Sequence, residues 1–192
     1  MAQRSDCGCG RLRTSFVVYS DDHGATWAGG DEMVLLPQYG GGWTECQVAE
    51  LQNGSVLMTS RNFYARSSGQ GPRMFARSDD GGATWAANWS AGSDLPDPYC
   101  EASMVAERGL LLFGNPSSHE RANFSVHVSR DGGRSWPQSV VVYPGGSAYS
   151  DMTLTRDGQL AVLFERDNYN SVAFGLIPIP RASQPAIHNE QR

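Results

Sequence analysis

Two carboxylates, two arginines and a tyrosine stand at the ends of apolar runs in this 192-residue sequence. Glu45 leads into Cys46-Gln-Val-Ala-Glu-Leu51, and Arg61 closes Ser55-Val-Leu-Met-Thr-Ser60. Arg121 follows Leu110-Leu-Leu-Phe-Gly-Asn-Pro116, Tyr149 lies in Ser147-Ala-Tyr-Ser-Asp151, and Glu165 ends Leu163-Phe-Glu165. An arginine fork matches a carboxylate bidentately, and each charge-assisted hydrogen bond is worth about 1.5–3 kcal/mol. A tyrosine titrates near pH ~10, so for its oxygen to attack anything a carboxylate must take the proton. Plainer roles exist for each. Strand-end polar groups are mostly just solvated, and surface ion pairs contribute about 0–1 kcal/mol. The set does chemistry only if the fold gathers it.

The elements that must do the gathering are announced by a phrase stated three times: Ser20-Asp-Asp-His-Gly-Ala-Thr-Trp27, Ser78-Asp-Asp-Gly-Gly-Ala-Thr-Trp85 and Ser129-Arg-Asp-Gly-Gly-Arg-Ser-Trp136. The frame is Ser-x-Asp-x-Gly-x-(Thr/Ser)-Trp. Asp22, Asp80 and Asp131 supply turn chemistry, the glycines tolerate positive φ, and Trp27, Trp85 and Trp136 open the return strands with a large apolar ring to bury. These are scaffold turns rather than reacting groups. Between them the chain reads strand, tight turn, strand, longer loop, strand. Asn53-Gly54, Arg108-Gly109 and Asp157-Gly158 make the tight turns. A four-stranded antiparallel unit repeated at this period is the blade of a β-propeller. The fold expected is therefore all-β, with about three and a half four-stranded blades over residues 14–180. The chain enters in mid-blade, which leaves two blade faces to be covered by further blades or by oligomer contacts. Glu45, Arg61, Arg121, Tyr149 and Glu165 fall at equivalent corners of successive blades, where loops collect around a central channel.

Bulk properties narrow the partners. A net charge of −5 argues against nucleic acid, which asks for a basic face. No apolar run approaches the roughly 18 residues of a membrane helix, and the first ten residues carry no apolar core of a signal peptide. Residues 1–13 read as a polar, unstructured leader and 181–192 as a tail. Cys7, Cys9, Cys46 and Cys100 do not form paired zinc-type clusters, no metal is implied, and Cys46 reads as a buried thiol. Asn53, Asn88 and Asn123 head glycosylation sequons, used only in a secretory compartment. The compartment itself stays open.

Several phrases together resemble one family. The repeated turn is similar to the Asp-box of the exo-α-sialidases (neuraminidases), six-bladed propeller glycoside hydrolases. Glu45-Cys-Gln-Val-Ala-Glu-Leu51, Ser60-Arg-Asn62, His119-Glu-Arg-Ala-Asn123, Ala148-Tyr-Ser-Asp151 and Leu163-Phe-Glu165 resemble that family's site phrases in order. The resemblance implies hydrolysis of terminal α-linked sialic acid from glycoconjugates, with retention and without cofactor. It implies Tyr149 as nucleophile, Glu45 as the carboxylate that activates it, and Arg61 and Arg121 as two of three arginines that hold the substrate carboxylate. Glu165 would support the third. The family's first arginine, in an Arg-Ile-Pro phrase, and its acid/base aspartate have no counterpart in these residues. The resemblance therefore implies a chain that is weak or inactive by itself, or alternatively a sialic-acid or glycan-binding module that does not hydrolyse. Relatives of this kind act in lysosomal, secretory or cytoplasmic settings.

Overall fold

The computed structural model describes residues 2–5, 13–32, 43–62, 73–85, 87–90 and 95–179. Every regular element among them is a strand. β1 (Ala2–Ser5) pairs antiparallel with β2 (Arg13–Phe16) in a short ribbon whose first strand falls in the stretch 1–13. β3 (Val18–Tyr19) and β4 (Ala28–Gly29) flank the first repeated turn. β5 (Trp43–Glu50), β6 (Val56–Asn62), β7 (Met74–Ser78) and β8 (Ala87–Ser90) form one complete four-stranded blade. A six-stranded meander follows, made of β9 (Ser103–Glu107), β10 (Leu110–Pro116), β11 (Ala122–Ser129), β12 (Gln138–Leu154), β13 (Gln159–Arg166) and β14 (Ser171–Pro178). The tail from residue 181 and Cys7 and Cys9 lie outside the described residues.

The meander is two blades sharing a strand. The first part of β12 pairs with β11, from Val128↔Gln138 to Ala122↔Gly146. The second part pairs with β13, from Ser147↔Arg166 to Leu154↔Leu160. At 17 residues, β12 thus closes one blade as its outer strand and opens the next as its inner strand. The architecture is a partial β-propeller.

Strand alternation explains why the middle strands read as unbroken apolar runs. Successive side chains point to opposite faces, and in a stacked blade both faces are buried. Leu57 packs forward with Phe75, Met104, Leu111, Phe113 and Trp136, whereas its neighbour Met58 packs back with Met74, Ala76 and, partly buried, Val17. Leu111 and Phe113 likewise face the earlier blade, and Leu112 packs with Val126 and Val128 of its own blade against Met152, Val162 and Phe164 of the later one. Each inter-blade layer is one core.

The three repeated turns are built alike. In each, the serine hydroxyl bonds the aspartate and accepts the N–H four residues on: Gly24 at 2.7 Å, Gly82 at 2.8 Å, Gly133 at 2.9 Å. The aspartate accepts both the backbone N–H and the hydroxyl of Thr26, Thr84 or Ser135. The Thr26 hydroxyl and N–H hold the Asp22 carboxyl down to about 2, and Ser78 with Thr84 does the same for Asp80. These carboxylates are consumed by their own turns. The tryptophans differ. Two of the rings reach back to the preceding blade, Trp136 stacking 5.8 Å from Phe75 and Trp85 packing in the layer that includes Val17. Trp27 does not bury its ring: it is 67% exposed, because no earlier blade stands behind it among the described residues.

Candidate active site

Glu45 and Tyr149 are placed by the same device on different blades. Between Thr44↔Arg61 and Gln47↔Thr59, β5 carries one residue more than β6. Between Ser147↔Arg166 and Ser150↔Phe164, β12 carries one more than β13. Such bulges break the alternation and re-aim a side chain. Glu45 sits at φ +47, in the left-handed region that bulky residues seldom adopt, so the strain coincides with a candidate functional group.

The two side chains meet. The Tyr149 hydroxyl donates to Glu45 Oε1 across 104 residues of sequence. Arg61, directly after the buried stretch of β6, donates from Nη1 to Glu45 Oε2 at 2.5 Å and to the Tyr149 oxygen at 3.2 Å. Arg121 precedes β11, and its guanidinium lies 5.7 Å from the centre of the Tyr149 ring. Glu165 reaches the same spot from β13, its Oε2 accepting the Tyr149 backbone N–H at 3.1 Å. All five residues singled out in the sequence therefore converge on one corner of the partial ring.

Electrostatics keep the tyrosine protonated. Burial, reinforced by the hydrogen bond to Glu45 and that carboxylate's charge, pushes the Tyr149 phenol up to about 12. The resting state is a neutral phenol hydrogen-bonded to a carboxyl group. Arg61 is raised further above its usual value: burial opposes the charge, but the hydrogen bond and charge of Glu45 outweigh it. Burial pushes the thiols of Cys46 and Cys100 upward, Cys100 to about 12, which makes both inert.

Four residues at the site were not legible in the sequence. Tyr99, in the loop joining the four-stranded blade to the next, lies with its ring under Arg61 and its carbonyl on Arg121 Nη2. Tyr169, in the β13–β14 turn, accepts from Arg121 Nη1. Arg73 and Asp97 form an ion pair behind them, with side chains 0% and 4% exposed. The one available signal was position: Tyr169 lies in the loop from a blade's second strand to its third, as Arg121 does, and Tyr99 lies in the loop from one blade to the next.

Glu101, next to that loop, accepts the Ser150 N–H at 2.9 Å. Burial raises its carboxyl to about 7, against the pull of that N–H and of Arg73. The folded protein therefore keeps a proton that the unfolded chain releases near pH ~4.3, and stability falls as pH rises from there to about 7. His127 acts in the opposite sense, because burial lowers it to about 4. The difference between wild type and Glu101→Gln isolates Glu101. Urea unfolding from pH 4.5 to 7.5 should show the variant gaining up to ~3 kcal/mol on wild type as pH rises. Parallel profiles would contradict this placement of Glu101.

The comparisons with known proteins point to one family. A BNR repeat-like domain matches residues 9–162. A sialidase of Micromonospora viridifaciens is 38% identical over 159 residues, covering 77% of this chain and 23% of that protein. A sialidase of Vibrio cholerae is 30% identical over 177 residues, covering 80% and 23%. Among solved structures, the Hadza microbial sialidase Hz136 superposes with a TM-score of 0.70 at 27% identity, over 88% of this chain and 33% of that one. The leech intramolecular trans-sialidase, at 22% identity and a TM-score of 0.68, shares the fold. The chain spans about a quarter of the length of these curated relatives. With three Asp-boxes, a partial propeller and these matches, the chain belongs to the BNR repeat-like domain family, and the curated relatives it is similar to are sialidases.

Proposed function

We propose that the cluster is one half of an exo-α-sialidase active site, and that the observation carrying this reading is the Tyr149–Glu45–Arg61 contact. Sialic acid bears a carboxylate on its anomeric carbon. A carboxylate nucleophile would be repelled there, whereas a neutral tyrosine is not, and sialidases with a Tyr nucleophile are a known exception to the two-carboxylate pattern. In the proposed step the Tyr149 oxygen forms a bond to the anomeric carbon as its proton passes to Glu45. The glycosidic C–O bond breaks and its electron pair leaves with the aglycone. Water then adds to the anomeric carbon as the bond to the Tyr149 oxygen breaks, Glu45 returns its proton to that oxygen, the proton lost by water goes through solvent to the released aglycone oxygen, and the sugar keeps its configuration. Arg61 and Arg121 hold the substrate carboxylate meanwhile.

General acid help is worth about 10²–10⁴-fold. No residue of the described cluster stands ready to protonate a leaving group, and no Arg-Ile-Pro phrase occurs in the 192 residues. These residues by themselves should therefore favour substrates whose leaving groups need no proton. That same shortfall favours a second reading, a sialic-acid-binding module without turnover. Val172, Phe174 and Leu176 on β14 are 64%, 67% and 49% exposed, which suits a face covered by another blade or a second copy. Turnover of an aryl sialoside and of sialyllactose, measured beside a titration with free sialic acid, separates the readings. Binding with aryl turnover well above lactoside turnover is expected. Binding with no turnover of either favours the module, no binding contradicts both, and rapid release from sialyllactose contradicts the dependence on an absent acid.

A further inference from the structure

Tyr99 contacts both arginines of the pair. It stands at φ +58, in the left-handed region, where a bulky side chain is rarely found without a reason. That turn does two things at once. It lays the ring beneath Arg61, whose guanidinium carbon is 3.6 Å from the ring centre. It also aims the backbone carbonyl at Arg121, which donates from Nη2 at 3.2 Å. One residue therefore touches both cations, although they come from different blades.

The loop is fixed from below. Asp97, 5% exposed, accepts the Cys100 N–H at 3.1 Å and Arg73 Nη1 at 3.3 Å. Arg73, 1% exposed, also donates to the Cys100 carbonyl at 2.8 Å and to Thr59 Oγ1 at 2.9 Å. Thr59 is two residues before Arg61 on β6, so the buried network ties the Tyr99 loop to the strand that carries Arg61. A connector with no role beyond linking blades does not require a strained aromatic held by a buried ion pair.

We propose that Tyr99 is a positioning residue that sets the planes of Arg61 and Arg121 for a ligand carboxylate. The inference rests on the reading of those arginines as a carboxylate grip. Stacking on an aromatic face fixes the orientation of a guanidinium, and the carbonyl does the same for its partner, so side-chain freedom is lost before the ligand arrives rather than on binding.

The test compares Tyr99→Asn with Tyr99→Phe. Asparagine tolerates the left-handed turn but has no ring, whereas phenylalanine keeps the ring. Each protein is titrated with N-acetylneuraminic acid and with its methyl ester, which lacks the charge. Wild type should prefer the acid. Tyr99→Asn should shrink that preference by ~10-fold, the scale of a desolvated cation–π contact, with ester affinity little changed. Tyr99→Phe should keep it within about twofold, since ring and carbonyl remain. A preference that survives Tyr99→Asn, or is lost equally in Tyr99→Phe, overturns the role of the ring while leaving the carboxylate grip standing. A wild type with no preference for acid over ester overturns the grip and this inference together.

Discussion

Tyr149→Phe should cut turnover of an aryl sialoside by at least ~10³-fold while leaving the affinity for sialic acid nearly unchanged. The substitution removes one oxygen from a side chain that is 37% exposed, so no cavity forms and the melting temperature should barely move. What is lost is specific: the hydroxyl that donates to Glu45, and with it the proposed nucleophile. Because Arg61 would keep its 2.5 Å bond to Glu45, the carboxylate is not left unpaired. Steady-state kinetics with a chromogenic aryl sialoside, paired with calorimetric titration, checks the split. Loss of rate and affinity together would mean that Tyr149 holds the sugar rather than reacting with it.

Asp97→Ala should cost about 3–5 kcal/mol of stability, the usual result of stripping a buried ion of its partner. Arg73 would remain in the core with its Nη2 already lacking a partner, and the Cys100 N–H and Asn115 Nδ2 would lose an acceptor. Replacing both ions with apolar residues, as Arg73→Met with Asp97→Leu, should recover most of that loss, because two desolvation penalties disappear together. Urea unfolding of wild type, single and double variants checks this. A single variant within ~1 kcal/mol of wild type would contradict the burial of the pair.

The sequence made the scaffold unusually readable because the same physical problem is solved repeatedly. Each blade needs a tight turn with fixed hydrogen bonds, and the Ser/Asp/Gly/Thr frame supplies them identically at residues 20, 78 and 129. The five polar corner residues were legible for a related reason, since they interrupt otherwise regular strand ends. What could not be read is the one-residue excess that turns Glu45 and Tyr149 toward each other, because a bulge is a property of two strands and not of one. Nor was the continuity of β12 legible: Pro144-Gly145-Gly146 has turn chemistry, yet the strand runs through it while changing partners from β11 to β13. Tyr99 and Tyr169 escaped because their effect depends on positive φ at non-glycine residues, which no composition rule foretells. Trp27 taught the converse. A residue type that buries its ring elsewhere stays exposed where no earlier blade stands behind it among the described residues.

The most direct test of the central claim is covalent. A sialosyl fluoride carrying a second fluorine at C3 needs no acid to release its leaving group, and the added fluorine slows breakdown of any adduct. Intact-mass and peptide mass spectrometry of the treated protein should show one fluorosialosyl group on Tyr149, absent from Tyr149→Phe and strongly reduced in Glu45→Gln. An unmodified wild type, or an adduct that persists when Tyr149 is phenylalanine, would contradict the assignment of Tyr149 as the nucleophile.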